Sequence, residues 1–386
     1  MSFSEIKKVA IVRSSYNPFG GTENICLNIL KKLLELQFYV TLLTNDPDSW
    51  PISHKNLEIV FLGARRGGRF WKTFFFNREV EAYLSGNDFK RIFSFDRISS
   101  FTHMHAGGTH MGFLKRDRST TDSLRFFSRK ISPFHNYCLF LEKKGFFNPR
   151  LKRIQCCSNM ISGEIKDLYG VDQKKLKVVY NGIGWEEIGW HFERRRLVAA
   201  ELFGKHGIDE KNNYLLFLGS GFYRKGLDIA IEGIGFLPKS YHLLVIGKGS
   251  VAPYLKMARN MNVLDRIHFL GPQAAGWRYA AVSKALLLPS RYEPFGIACA
   301  EVQAMGLPVL VSDCTGFGEL VVHRESGVLF AQSDGKDGIE AAFRELRRLI
   351  HAPPMSPSEI RSRMRRLDNA NFHEKVIQDF AGSDAD

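Results

Sequence analysis

The sequence predicts an α/β protein of two doubly wound domains, each a parallel sheet covered by helices on both faces. Short apolar runs alternate with segments whose apolar residues recur at helical spacing, the signature of strand–helix–strand units. This alternation pauses after Tyr180-Asn181-Gly182 and restarts at Tyr214. The 386 residues also exceed what one hydrophobic core usually organises. These observations place a first domain at residues 1–183, a second at 184–357 and a helical segment at 358–386.

The first domain opens on the apolar run 8–12, closed by Arg13-Ser14-Ser15 and then by Asn17-Pro18-Phe19-Gly20-Gly21, a turn by composition. From Thr22, the residues Ile25, Leu27, Ile29, Leu30, Leu33, Leu34 and Leu36 recur at helical spacing, with Thr22 as N-cap and Glu23 in the first turn. Apolar runs follow at 39–43, 58–62, 91–95, 153–157 and 177–180, continuous as expected of strands buried on both faces. Residues 183–210, charged and tryptophan-bearing, read as the linker. Strands of the second domain are expected at 214–218, 241–246, 266–270, 285–289 and 308–311, with helices at 227–236, 251–260 and 297–305. Pro353-Pro354-Met355-Ser356-Pro357 then breaks the chain before terminal helices of mixed charge.

A composition of 44% hydrophobic, 24% charged and 12% aromatic residues excludes a collagen-like, mucin-like or wholly disordered chain. No apolar run approaches the roughly 20 residues of a spanning helix, and the N-terminal residues do not read as a secretory signal. A cytoplasmic chain is expected. Its six cysteines, scattered in apolar surroundings without a CxxC pair, fit reduced thiols rather than a disulfide framework or a zinc site.

The net charge of +14 is concentrated: residues 64–153 hold nineteen Lys or Arg against seven Asp or Glu, and fifteen of the 31 Phe. Clusters such as Arg69-Phe70-Trp71-Lys72, Arg125-Phe126-Phe127 and Lys143-Lys144-Gly145-Phe146-Phe147 interleave cations with rings. That pattern suits an anionic membrane surface. Nucleic acid would use the same cations, and a solvated basic face over a Phe-rich core would need no partner.

Three places could carry chemistry. Gly20-Gly21-Thr22-Glu23 joins the first strand to the first helix, where glycines admit close backbone approach and free amides bind phosphate, unless this is only a tight turn. In Leu218-Gly219-Ser220-Gly221-Phe222-Tyr223-Arg224-Lys225-Gly226 a strand leads to two cations before a helix; they would stabilise charge on a departing diphosphate, or be solvated helix-terminal charges. The sharpest signal is Arg291-Tyr292-Glu293-Pro294-Phe295-Gly296-Ile297-Ala298-Cys299-Ala300-Glu301. Here a strand feeds a carboxylate, then a glycine opens a helix with a second carboxylate eight residues after the first. Gly247-Lys248-Gly249 lacks the third glycine of a dinucleotide fingerprint, since Ala252 stands there, and reads as a strand-to-helix turn. Asp46-Pro47-Asp48 has DxD spacing but sits in a Pro-bearing turn far from these motifs, and is set aside. His103, His105 and His110 crowd one Gly-bearing loop.

These residues resemble the landmarks of the retaining GT-B glycosyltransferases of family 4. Glu293 to Glu301 looks like that family's E-x7-E motif, and residues 217–226, Gly20-Gly21 and Tyr180-Asn181-Gly182-Ile183 resemble its other landmarks in the expected order. The likeness covers most of the chain. The 220–226 form, with His105-Ala106-Gly107-Gly108-Thr109-His110 followed by Phe113-Leu114-Lys115-Arg116, is similar to the enzymes that add glucose to the heptose region of lipopolysaccharide core.

The resemblance implies a GT-B architecture: two Rossmann-like domains facing a central cleft, with the C-terminal helix returning to the first domain. A nucleotide sugar would be held chiefly by the second domain and the acceptor by the first. By motif position, Arg224 and Lys225 bind the diphosphate, Glu293 contacts the transferred sugar and Glu301 the ribose. Gly20, Gly21, Gly219, Ser220, Phe295, Gly296 and Ile297 complete the donor contacts, and His105 or His110 lies near the reacting sugar. The acidic residue that the subfamily often carries after the first glycine of this loop is replaced by Gly108. Front-face attack assisted by the leaving phosphate is implied, with no protein nucleophile, no metal and no cofactor beyond the UDP-sugar donor. The expected enzyme transfers a hexose, glucose on the subfamily likeness, to a lipid-linked, phosphate-bearing glycan, peripherally bound to an anionic surface on the cytoplasmic face of the inner membrane, with no nucleic-acid partner. Two alternatives remain: a GT-B enzyme acting on a soluble glucan or phosphosugar, and a non-enzymatic nucleic-acid-binding protein using residues 64–153. The joint presence of Arg224, Lys225, Glu293 and Glu301 argues against the second.

Overall fold

The computed structural model describes residues 8–18, 20–63, 67–116 and 132–381. The cluster Arg125-Phe126-Phe127 lies outside the described residues. The chain divides into two compact units, Met1–Asn181 with Phe372–Asp386, and Gly182–Asn371.

In the first unit seven parallel strands run in the order β3-β2-β1-β4-β5-β6-β7. They are β1 (Lys8–Val12), β2 (Tyr39–Thr44), β3 (Leu57–Phe61), β4 (Arg91–Ser94), β5 (His103–Ala106), β6 (Arg153–Cys156) and β7 (Leu176–Val178). β1 and β4 pair side by side, so the strand order reverses between them. The helix Gly21–Glu35 buries Ile25, Cys26, Leu27, Ile29, Leu30, Leu33 and Leu34 against this sheet's side of the chain. Its N-cap is Gly20 rather than Thr22, and no side chain caps it.

β5 corrects the expectation of a loop at His103 and His105. His-Met-His-Ala has no apolar run to announce a strand, yet all four residues are buried. Burial holds both imidazoles neutral: it lowers His103 and His105 each to a pKa of about 4. An uncharged imidazole is tolerable where an imidazolium is not.

The helix Asn369–Ala381 belongs to the first unit from Phe372 onward and closes it. Phe380 stacks on Phe93 with ring centroids 5.2 Å apart and meets His103 edge-on at 4.8 Å. Asp379 pairs with Arg153 and Lys177, each at 3.2 Å, and accepts a bond from Gln155 at 3.0 Å. The preceding residues do not follow it. Ile360, Met364 and Leu367 are buried in the second unit, where Arg361 stacks 3.7 Å from the Trp185 ring and donates to the Ala304 carbonyl at 2.8 Å. The terminal segment expected at 358–386 is therefore divided between the two units.

The second unit has six parallel strands in the order β10-β9-β8-β11-β12-β13. These are β8 (Asn213–Leu218), β9 (Tyr241–Ile246), β10 (Ile267–Gly271), β11 (Ser283–Leu288), β12 (Val309–Ser312) and β13 (Gly327–Phe330). Here the order reverses between β8 and β11. The residues expected as a linker form two helices, Trp185–Glu193 and Arg195–His206, which bury Ile188, Phe192, Val198 and Leu202 and belong to this unit. Their apolar residues are spaced by charge, so the sequence shows charge before it shows the buried stripe.

Phe380→Ala is expected to cost the first unit about 3 kcal/mol. Hydrogen exchange should speed up across β1–β7 and stay unchanged across β8–β13; equal acceleration in both sheets would contradict the division described here.

Candidate active site

In doubly wound sheets, ligands bind beyond the carboxyl ends of the strands where the order reverses. In the second unit that point lies after β8 and β11, and the loops there carry Arg224, Lys225 and Glu293.

The β8 loop is shaped by three left-handed glycines: Gly219 at φ +143°, Gly221 at +78° and Gly226 at +75°. A Cβ on Gly226 would collide with the Pro289 carbonyl oxygen, so only glycine lets this loop reach the end of β11. A Cβ on Gly219 would run into the Lys225 side chain, which lies across it. Phe222 is buried beside Phe217 and anchors the turn. Ser220 Oγ accepts the Lys248 amide at 3.0 Å, tying in the loop that follows β9.

The β11 loop is held from the other side. The Glu293 amide donates to the Cys314 carbonyl at 2.9 Å, and the Gly316 amide donates to the Glu293 carbonyl at 2.8 Å. Phe295 is buried against Phe317. Gly296 at φ +97° turns the chain into the helix Ile297–Ala304, whose first amides lie at this edge.

The two loops bring together what the sequence separates by about seventy residues. Glu293 Oε2 accepts from Lys225 Nζ at 2.6 Å and from Arg224 Nη1 at 3.0 Å. The side chains of Lys225 and Glu293 are only 11% and 12% exposed, while Arg224 keeps 34%. Burial pushes the Glu293 pKa up, but Lys225 and Arg224 outweigh it and hold the value at about 2. Arg224 Nη1 also donates to the Tyr292 carbonyl at 2.8 Å.

Glu301 lies within the helix Ile297–Ala304 that this loop opens, and is in the opposite electrostatic state. Among the described residues no group donates a hydrogen bond to its carboxylate. Burial, with Glu187 adding repulsion, raises its pKa to about 8. It is therefore mostly protonated at neutral pH, able to donate as well as accept a hydrogen bond to a hydroxyl.

In the first unit the reversal point lies after β1 and β4. Arg13 there pairs with Glu23 and with Asp96, both at 2.7 Å, and the Ser14 amide donates to Asp96 at 2.5 Å. Gly20 sits beside this cluster. Its amide is engaged by the Asn17 carbonyl at 2.9 Å, and a Cβ there would strike the Glu23 carboxylate. Gly21 begins the helix.

The two candidate histidines separate clearly. His105 is 1% exposed, packs against Phe95 and Phe372, and neither ring nitrogen has a hydrogen-bond partner. It is a core residue, and no ligand can reach it without opening β5. His110 opens the helix His110–Arg116 and shares a hydrogen bond with His135 at 2.9 Å. Burial, with Arg97, His135 and Arg69 adding repulsion, lowers its pKa to about 3. Its backbone amide donates to Glu142, a buried carboxylate that also accepts from Arg97 at 2.8 Å and Tyr169 at 2.6 Å.

Sequence reasoning passed over Arg13, Asp96, Glu142 and Asp228, and gave Arg291 no role. Each is a single charged residue in a strand-end loop or on a helix, with no spacing to mark it. Their partners are distant in sequence.

Two Rossmann-like domains, one holding a cation pair against a carboxylate at its strand-order reversal, define the GT-B glycosyltransferase class. Residues 19–186 match the family model described as Glycosyltransferase Family 4, and residues 198–366 match Glycosyl transferases group 1. The chain is thus built of a glycosyltransferase family 4 domain followed by a glycosyl transferases group 1 domain. It is 21% identical over 343 residues to the lipopolysaccharide glucosyltransferase WaaG of Escherichia coli (strain K12), covering 87% of this chain and 88% of that protein. The crystal structure of WaaG superposes with a TM-score of 0.78 at 20% identity, covering 97% of this chain and all of that one. Anabaena Alr3699/HepE, solved in complex with UDP-glucose, gives a TM-score of 0.68 at 15% identity over 97% of this chain and 99% of its own. Glycogen synthase of Mycobacterium tuberculosis (strain ATCC 25618 / H37Rv) is 32% identical over 196 residues, 49% of this chain and 44% of that protein.

Glu301 gives a pH test. Its folded pKa of about 8 stands above the ordinary 4.5, so the unfolded chain releases this proton first and stability is lost as pH rises from about 4.5 through 8. Glu301→Gln mimics the neutral form. Its melting temperature should match the parent near pH 5 and exceed it by several degrees near pH 9; a constant offset across that range would refute the assignment.

Proposed function

We propose that the protein is a retaining hexosyltransferase that moves glucose from UDP-glucose to a lipid-linked, phosphate-bearing glycan of the lipopolysaccharide-core kind. The reading is carried by one observation, the Arg224–Lys225 pair gathered on Glu293 at the strand-order reversal of the second domain. The likeness to WaaG supports the donor sugar and the acceptor class.

In this mechanism Lys225 and Arg224 neutralise the diphosphate as the bond from sugar C1 to the β-phosphate oxygen breaks. The acceptor hydroxyl attacks C1 on the same face, its proton passes to the departing phosphate oxygen, and UDP leaves. Charge develops on that oxygen, so preorganised cations favour the transition state over the ground state. Glu293, ionised at any physiological pH, accepts from the sugar hydroxyls and orients the ring. Glu301, neutral, meets the ribose hydroxyls. The amides that open the helix at Gly296 and Ile297 and the Ser220 amide bind the phosphates, with Phe295 buried against Phe317 as an anchor. The Gly219 amide is taken by the Ile246 carbonyl at 2.8 Å, and Gly219 serves the turn. Of the histidines, His110 keeps the place near the reacting sugar, and His105, buried in the core, is dropped. No metal is assigned a step, since the cation pair supplies the charge.

The basic, aromatic helices of the first domain support a peripheral site on an anionic leaflet. Trp71 and Phe140 are 52% and 54% exposed, and Phe147 is 60% exposed beside Lys143 and Lys144. No helix among the described residues is long and apolar enough to cross a membrane.

Turnover of a panel of UDP-, GDP- and ADP-sugars with lipopolysaccharide-core acceptors tests the reading, with the product anomer fixed by NMR. Lys225→Ala should lower kcat on the order of 100- to 1,000-fold, chelation should leave the rate unchanged, and the product should keep the donor's anomeric configuration. An inverted product or an undiminished Lys225→Ala enzyme would overturn it. Vesicle co-sedimentation at moderate salt should favour anionic over neutral lipid; equal binding would remove the membrane assignment.

A further inference from the structure

Arg291 lies two residues before Glu293 and makes none of the donor contacts proposed above. Its guanidinium forks onto Asp228, Nη1 donating to Oδ1 at 2.8 Å and Nη2 to Oδ2 at 2.5 Å. The same Nη1 donates to the Tyr223 carbonyl at 2.8 Å, and the guanidinium stacks 4.2 Å from the Tyr223 ring centroid. The Arg291 amide donates to the Arg224 carbonyl at 2.8 Å. Asp228 stands in the first turn of the helix Leu227–Gly235.

Every one of these contacts crosses from the β11 loop to the β8 segment. The first carries Glu293; the second carries Arg224 and Lys225. The ladder between β8 and β11 ends at Leu216 and Leu286, two residues before either strand does, so strand pairing does not extend into the loops. Beyond that point the approach of Glu293 to the two cations depends on the one backbone bond from the Arg291 amide to the Arg224 carbonyl, on the side chains and on the contact at Gly226.

We propose that Arg291 is a positioning residue for glycosyl transfer, clamping the β11 loop to the β8 loop through Asp228 and Tyr223 so that Lys225, Arg224 and Glu293 keep their separation. This rests on the function proposed above. A planar fork onto a carboxylate fixes orientation as well as distance, which a single ammonium cannot do. The two side chains are 20% and 28% exposed, so water screens the pair less than it would on an open surface. A shift of about 1 Å in such a constellation can cost on the order of 100-fold in rate.

The test is a double-mutant cycle on kcat, with UDP and inorganic pyrophosphate binding measured by calorimetry on the same variants. Arg291→Ala and Asp228→Asn should each lower kcat about tenfold or more with the fold retained by circular dichroism, and Arg291→Lys should recover little. In a Lys225→Ala background the further effect of Arg291→Ala should shrink to about twofold or less, because the group it positions is gone. Full multiplicativity of the two losses would overturn the proposal, since a residue that merely stabilises the domain acts independently of Lys225. So would an Arg291→Ala enzyme with parental kcat. A parent chain that turns over no nucleotide sugar and binds neither UDP nor pyrophosphate would overturn the proposed function, and this inference with it.

Discussion

Glu293 can remain ionised in a largely buried place only because Lys225 and Arg224 hold it. Removing one partner from a buried ion pair typically costs 3–5 kcal/mol, because the charge left behind is uncompensated. The surrounding architecture keeps the three groups together. Gly219 clears the path of the Lys225 side chain, Gly226 lets the loop touch Pro289, and Phe222 and Phe295 pin the two loops into their own core. Two cations against one carboxylate leave one positive charge uncompensated at the reversal point, and that surplus is what a diphosphate would meet.

The first domain has the same topology and a different electrostatic content. At its own reversal point Arg13 is shared by Glu23 and Asp96, so the surplus there is negative. The turn at Gly20 is filled accordingly: its amide is taken by Asn17 and the space above it by the Glu23 carboxylate. A glycine pair at a strand-to-helix junction is thus compatible with phosphate binding but does not establish it. In the second domain the case is stronger because the cations are present and the helix that follows Gly296 brings no acid in its first turn.

Sequence was most informative where one physical requirement governs a contiguous stretch. Strands buried on both faces must be apolar throughout, so β1, β2, β8 and β9 announced themselves, and the E-x7-E spacing marked the β11 loop. It was least informative where burial is bought by pairing or by neutralisation. β5 is hidden because two uncharged imidazoles do the work of aliphatic residues. The helices Trp185–Glu193 and Arg195–His206 looked like linker because charged residues outnumber the few that face inward. Arg291 and Asp228 carry no spacing rule at all; only the fold brings them within a hydrogen bond. The same blindness let His105 stand beside His110 as an equal, although one is in the core and the other heads a helix.

The two acids of the E-x7-E stretch show how one short segment can present two different groups. Eight residues apart and of identical chemistry, they differ only in neighbours. Glu293 has two cations within hydrogen-bond reach and a pKa of about 2; Glu301 has burial and Glu187, and a pKa of about 8. At neutral pH the first is an anion that can only accept hydrogen bonds, while the second is an acid that can also donate one. Environments that push paired carboxylates apart are how a fold assigns different roles to the same side chain. A ligand with a strong anion at one end and neutral hydroxyls along its length suits that gradient, because the cations beside Glu293 take the charge and Glu301 need not be desolvated as an ion to meet a hydroxyl. The spacing of the motif therefore follows from the length of one helical segment, and its chemistry from what that segment is packed against.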